Sequence, residues 1–185
     1  LDGFKKIIIS VNYLSKIIIN HFGNGERFGI SIEYIHEDKP LGTAGALCKI
    51  PEKYLNQYIV VTNGDIITEA SYSDFLGNAI REKCDGLMAV QLHKWKNPFA
   101  VVQTKGTDII SLKEKPIMTS QVNAGLYVLS SKMINTIKKN KYCDMPDLFV
   151  EGIKHKFNLK VYPLHESWID IGRIEDYNLL CNGEI

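Results

Sequence analysis

The 185-residue chain has no dominant charge, no long apolar run, no paired cysteines and neither of the two best-known nucleotide fingerprints, and each absence closes a class of function. With 22 basic against 21 acidic residues the formal charge is +1, so there is no electrostatic footprint for a nucleic acid or a membrane surface, and neither is expected as a partner. The densest basic stretch, Lys138-Lys139-Asn140-Lys141, falls where a helix ends and reads as a solvated helix C-terminus. Apolar runs such as Ile17-Ile18-Ile19 fall far short of the ~20 residues that span a bilayer. The first residues, Leu1-Asp2-Gly3-Phe4-Lys5-Lys6, lack the basic end and apolar segment of a secretory signal. Cys48, Cys84, Cys143 and Cys181 show no C-x-x-C spacing, which argues against a zinc knuckle or redox pair and fits a reduced, cytoplasmic setting. The sequence opens without Met and runs from a turn-like Asp2-Gly3 into a strand, so it is expected to begin inside a longer protein.

What is present is ordinary globular material, 45% hydrophobic and 23% charged, enough for one domain with a full-sized core. Apolar runs alternate with helical patterns as βαβ units require. Strands are expected at Lys6 to Val11, Ile30 to Ile35, Gln57 to Thr62 and Gly86 to Gln91. Helices are expected at Ser15 to Phe22, capped by Ser15, from Gly45 to Ile50, and at Ser73 to Lys83, capped by Ser71 or Ser73. This half reads as a parallel, doubly wound sheet. Shorter strands follow at Ala100 to Thr104, Ile109 to Lys113 and Ala124 to Ser130, predicting a hairpin beside the main sheet. Helices at Ser131 to Lys138 and Met145 to His155, a strand at Leu159 to Pro163 and a helix from Arg173 to Cys181 complete the chain.

The apolar run Tyr58-Ile59-Val60-Val61-Thr62 stops at Asn63-Gly64-Asp65. In an open parallel sheet, ligands bind beyond the carboxyl ends of strands, so an acid placed there is a candidate for chemistry. Asn63-Gly64 allows a sharp turn and close approach of a ligand, and Asp65 offers a hard oxygen suited to Mg²⁺ rather than zinc. The alternative is a turn in which Asp65 caps the next element. Trp168-Ile169-Asp170-Ile171-Gly172 repeats the pattern. Its plainer meaning is a helix N-cap at Asp170 with Trp168 as core filler. Two such acids could hold one Mg²⁺ against phosphate oxygens, but spacing does not tell whether they meet.

Three further stretches stand out. Pro40-Leu41-Gly42-Thr43-Ala44-Gly45-Ala46-Leu47 joins a strand to a short helix, and its small residues could turn backbone amides toward a nucleotide. It is not the Walker pattern, because no Gly-Lys-Ser/Thr follows. Glu114-Lys115-Pro116 sets a carboxylate beside an ammonium in a segment expected to be extended before its proline, or is simple surface charge. Asn123-Ala124-Gly125 opens a strand with two small residues, which marks a bulge or a close ligand approach.

In this order, Leu41-Gly42-Thr43-Ala44-Gly45-Ala46, Asn63-Gly64-Asp65, Glu114-Lys115-Pro116, Asn123-Ala124-Gly125-Leu126-Tyr127 and Trp168-Ile169-Asp170-Ile171-Gly172 resemble the sugar-1-phosphate nucleotidyltransferases, in the mannose-1-phosphate guanylyltransferase-like branch. The resemblance spans nearly the whole chain. It implies an α/β fold with a Rossmann-like (GT-A-like), mostly parallel mixed sheet flanked by helices and a small β-hairpin extension. It implies a reaction between a nucleoside triphosphate, GTP by this branch, and a sugar 1-phosphate, mannose 1-phosphate or an amino-sugar 1-phosphate. Asp65 and Asp170 would hold Mg²⁺, Lys115 would neutralise the sugar phosphate, and Glu114 and Asn123 would bond sugar hydroxyls. Leu41, Gly42, Thr43, Ala44 and Gly45 would lie against base and ribose, with Asn63 and Gly64 leaving room for the nucleotide. Asp144-Met145-Pro146-Asp147-Leu148-Phe149 is also typical of this branch, which includes relatives with a pair of CBS-type regulatory modules before the transferase. A homo-oligomer is left open, and the product's destination is polysaccharide or glycoconjugate assembly.

Two departures matter. The family's opening glycine-rich loop with its Arg and Pro-Lys-Pro is not matched. Residues 1–185 are therefore expected to be a catalytic domain lacking its first strand and phosphate-gripping loop, binding triphosphate weakly and turning over little by themselves. The family's Tyr-Gly-Val-Val reads Pro98-Phe99-Ala100-Val101-Val102, and a methyl at Ala100 would crowd the sugar side. Other classes fit less well. A GT-A glycosyltransferase would show Asp-x-Asp. A dinucleotide oxidoreductase would carry its fingerprint after the first strand, whereas Gly23-Asn24-Gly25-Glu26-Arg27-Phe28-Gly29 follows a helix. A regulatory relative keeps the fold without the chemistry, and survival of both acids and the Lys favours an enzyme.

Overall fold

The computed structural model describes residues 2–172 and 181–182; the helix expected from Arg173 to Cys181 lies outside them but for its last residue. Strands β1 (Lys6–Val11) and β2 (Ser31–His36) pair in parallel, and α1 (Ser15–Phe22) forms the crossover such a pair requires. Ser15 is the first helical residue rather than the cap; Leu14 holds that position at φ 57 with no side-chain cap bond. After α2 (Gly42–Gly45) come β3 (Ile59–Thr62), β4 (Ile66–Thr68), α3 (Tyr72–Arg81) and β5 (Gly86–Lys96). The hairpin β6 (Val101–Lys105) and β7 (Asp108–Lys113) follows, then β8 (Ile117–Leu129), α4 (Ser131–Ile134), α5 (Met145–Lys154), β9 (Leu159–Pro163) and β10 (Trp168–Asp170).

The main sheet has the order β3-β8-β5-β9. Its β8 is antiparallel to both β3 and β5, while β9 is parallel to β5. Three of the four strands therefore run one way, which is the mostly parallel mixed sheet of the expected fold class, with β6-β7 as the small extension. The fully parallel first half is corrected: a strand from the second half is inserted between β3 and β5. β8 is central, so both of its faces are covered, and Ala124–Leu129 is buried without a break. Ala124, Leu126 and Val128 pack toward Phe75 and Ala79 of α3, while Tyr127 and Leu129 pack toward Met133, Leu148 and Phe149. The result is helix, sheet, helix. Ser71 caps α3 by accepting from Asp74 N at 3.1 Å. Among the described residues no helix is long and apolar enough to cross a membrane.

β5 and β8 overrun their expected bounds, because Leu92–Lys96 and Ile117–Gln121 pair with each other beyond the main sheet with exposed side chains and so carry no apolar run. At the opposite end, Asp85 ties the layers together. Its Oδ2 accepts from Lys132 Nζ at 2.9 Å and from Asn158 N at 2.8 Å, and its backbone exchanges bonds with Ser130 and Asn158. Asp85→Ala leaves Asn158 N without its partner and is expected to lower stability by about 2 kcal/mol, read from urea unfolding midpoints.

Candidate active site

The acid of Asn63-Gly64-Asp65 stands past the carboxyl end of β3, where β4 begins. β4 pairs antiparallel with β10, setting Asp170 opposite Ile66, and Ile171 N donates to the Asp65 carbonyl at 2.9 Å. The two acids, far apart in sequence, become neighbours. A Cβ placed on Gly172 would lie 3.0 Å from Asp170 Oδ1 and 3.2 Å from Asp65 Oδ2. Both carboxylates thus converge around one point that a side chain at 172 would fill. Gly172 N donates to Asp170 Oδ1 at 2.9 Å, so Asp170 also stabilises the turn leaving β10. The Asp65 carboxylate accepts no hydrogen bond from another described residue and caps nothing there.

Among the described residues no third His, Cys, Asp or Glu completes a protein cage for a metal ion. Mg²⁺ does not require one, since it is commonly held by one or two carboxylates with waters and substrate phosphates in the remaining positions. The pair and the open cradle above Gly172 fit that ion.

A bulge in β8 adjoins the acids. Met88 of β5 pairs with Tyr127 but Val90 pairs with Asn123, so Ala124, Gly125 and Leu126 stand opposite Ala89 alone. Gly125 has φ +73, and a Cβ there would lie 3.0 Å from Asn63 Nδ2 and 3.1 Å from Ile66 Cδ1, so the glycine serves both the bulge and the close packing. The bulge carbonyls are occupied: Asn63 N donates to Gly125 O at 3.0 Å and Trp168 Nε1 to Ala124 O at 2.8 Å. Asn123 is held at both ends of its amide, donating from Nδ2 to Tyr127 Oη at 2.7 Å and accepting at Oδ1 from Gly125 N at 3.1 Å. One amide hydrogen and one lone pair remain for a ligand. Burial pushes the Tyr127 phenol above its ordinary pKa, opposed in part by the bond from Asn123.

The Leu41–Gly45 segment corrects the expectation that its amides are turned toward a nucleotide. Ala44 N and Gly45 N donate to Cys143 O at 2.9 and 3.0 Å, Thr43 N donates to Asp144 Oδ1 at 3.0 Å, and Leu41 N to Glu37 Oε2 at 2.8 Å. The small residues serve close packing against residues 141–145: a Cβ on Gly42 would be 2.6 Å from Cys143 O, and one on Gly45 2.9 Å from Lys141 O. The starts of α2 and α5 satisfy each other, because Met145 N donates in return to Thr43 Oγ1 at 2.8 Å. Sequence reading missed this exchange; the cue was an Asp before Met-Pro at a helix start, matched by a Thr just inside another.

The Thr43 N–H, followed by the Tyr142 hydroxyl, holds the Asp144 carboxyl below the usual carboxylate range. A depressed carboxylate contributes stability that is complete above its unfolded pKa and is lost as pH falls through the lower folded value. Asp144→Asn is therefore expected to be less stable than the parent protein at neutral pH, with the gap closing as pH falls below about 4. Chemical unfolding across that range checks it.

Lys115 departs from the extended conformation expected before Pro116: its φ is 43, in the left-handed region. Neither Glu114 nor Lys115 makes a side-chain hydrogen bond or ion pair with another described residue; both are exposed at the root of the β6-β7 hairpin. Ala100 is exposed in the turn between β5 and β6. The structure thus brings together Asp65, Asp170, Asn63 and the Asn123 bulge, and gives no contact that joins Glu114, Lys115 or Ala100 to them.

Comparison with known proteins places the chain among nucleotidyltransferases. The chain is 28% identical over 187 residues to mannose-1-phosphate guanylyltransferase of Mycobacterium tuberculosis, covering 95% of this chain and 50% of that protein. It is 29% identical over 179 residues to D-glycero-alpha-D-manno-heptose 1-phosphate guanylyltransferase of Aneurinibacillus thermoaerophilus, covering 95% and 76%. The chain spans about half the length of several curated relatives it matches. The crystal structure of HddC from Yersinia pseudotuberculosis superposes with a TM-score of 0.71 at 26% identity, covering all of this chain and 80% of that one. Residues 1–181 match the family model described as nucleotidyl transferase, and the chain belongs to that family.

Proposed function

We propose that this chain is the catalytic unit of a sugar-1-phosphate nucleotidyltransferase that joins a nucleoside triphosphate to a sugar 1-phosphate. The observation that carries the reading is the convergence of Asp65 and Asp170 over Gly172 at the carboxyl end of β3. In the reaction an oxygen of the sugar phosphate attacks the α-phosphorus of the triphosphate, one P–O bond forms, the α–β bond breaks, and pyrophosphate leaves. Such a displacement depends on positioning and on neutralising charge. Asp65 and Asp170 hold Mg²⁺, which when bound supplies positive charge to the phosphate oxygens. Lys115 neutralises the sugar phosphate, and its left-handed backbone is the kind of strain that gathers at functional sites. Glu114 and the free positions of Asn123 bond sugar hydroxyls. Leu41–Gly45 borders the base and ribose with Gly42 and Thr43, its members that reach the surface, and Asn63 and Gly64 leave room beside it. Ala100 narrows the sugar side.

GTP is the favoured triphosphate, as the relatives named guanylyltransferases suggest, and its partner is mannose 1-phosphate, named for one of them, or an amino-sugar 1-phosphate. The test is pyrophosphate release by the full-length protein that carries this chain, with GTP, CTP, UTP, dTTP and ATP crossed against a panel of sugar 1-phosphates. Turnover with one pair supports the reading. Binding of nucleotide sugars without turnover by any pair would make the protein a regulatory homologue.

A further inference from the structure

β4 and β10 pair over only three residues each, as a two-stranded ribbon apart from the main sheet. A ribbon that short does not hold its own register. Register matters here, because a slip of one residue would turn Asp170 to the opposite face, away from Asp65. The anchor lies at the other end of β10. Trp168, half-buried against the cluster containing Phe75 and Leu126, donates its indole N–H to the carbonyl of the fully buried Ala124 at 2.8 Å. That carbonyl lies in the β8 bulge, where β5 offers no ladder partner. The next carbonyl of the same bulge, Gly125 O, accepts from Asn63 N, two residues before Asp65. One bulge thus fixes both strand ends that carry the acids.

We infer that Trp168 is a positioning residue for the carboxylate pair: its indole bond to the bulge carbonyl sets the register of β10 against β4 and so holds Asp170 beside Asp65. This rests on the reading of Asp65 and Asp170 as the cation-holding pair. Outer partners of this kind typically change metal affinity by about 10–100-fold. The test is a titration of the full protein with Mn²⁺ alone, followed by water-proton relaxation, for the parent, Trp168→Phe, Asp170→Asn and Phe75→Leu. Phe75→Leu disturbs the same core cluster while leaving both partners of the indole bond, Trp168 Nε1 and Ala124 O, in place. The expected result is Mn²⁺ binding weakened about tenfold in Trp168→Phe, weakened at least as much in Asp170→Asn, and unchanged in Phe75→Leu. Parent-like binding by Trp168→Phe beside weak binding by Asp170→Asn overturns the inference and leaves the cation pair standing. Equal weakening in Trp168→Phe and Phe75→Leu also overturns it, since the indole would then act through stability alone. Parent-like binding by Asp170→Asn removes the cation pair and this inference with it. If Trp168→Phe does not fold, a benzothienyl isostere of the indole, with sulfur in place of N–H at constant shape, gives the same comparison.

Discussion

Asp65→Asn and Asp170→Asn are each expected to lower pyrophosphate release by roughly a thousandfold, the upper range for removing one electrostatic element from a preorganised site. The substitution keeps shape and one acceptor oxygen, enough for the bond from Gly172 N at position 170, and removes one negative charge from a pair converging within 3.2 Å of a common point. Stability should barely move, because neither carboxylate is spent on an ion pair with another described residue. Activity and unfolding measured side by side check this: large loss of turnover with an unchanged urea midpoint is the expected result. The double variant should lose little more than either single one, since a pair acting on one ion is not additive.

Gly42→Ala is expected to be the most damaging single methyl in the described chain, costing about 3 kcal/mol from left-handed backbone strain and overpacking together. Gly42 has φ +78, and an added Cβ would lie 2.6 Å from Cys143 O and 2.7 Å from Asp144 Oδ1. The carbonyl cannot retreat freely, because it accepts from both Ala44 N and Gly45 N. Relief of the clash therefore breaks the contact between α2 and the start of α5. Gly64→Ala is the control: nothing lies within 4 Å of its Cβ position, so its urea midpoint should match the parent.

Legibility from sequence followed local physics. Apolar-rich runs such as Lys6–Val11 and Leu159–Pro163 appear with the bounds expected of them, though of the two only Val11 is buried, and the Asp65 and Asp170 motifs were visible as acids ending apolar runs. The insertion of β8 between β3 and β5 was not, because an antiparallel and a parallel central strand carry the same continuous apolar run. β4 and β10 were missed as strands since three residues carry no periodicity. The meeting of the acids is a property of that ladder, and Gly172, present in the quoted motif, could not reveal its role without it. At Leu41–Gly45 small residues read equally well as a nucleotide cradle or as close packing, and partners at Cys143 and Asp144, far along the chain, decide for the amides of Thr43, Ala44 and Gly45. At Lys115 the preference of a residue before proline for extended backbone was overridden at the root of the hairpin.

The most direct test is anomalous diffraction from crystals of the protein grown with Mn²⁺ and the nucleotide sugar found by the substrate panel. The account predicts a peak within coordinating distance, about 2 Å, of carboxylate oxygens from both Asp65 and Asp170. A peak bound elsewhere, with those two carboxylates turned away from it, would contradict it.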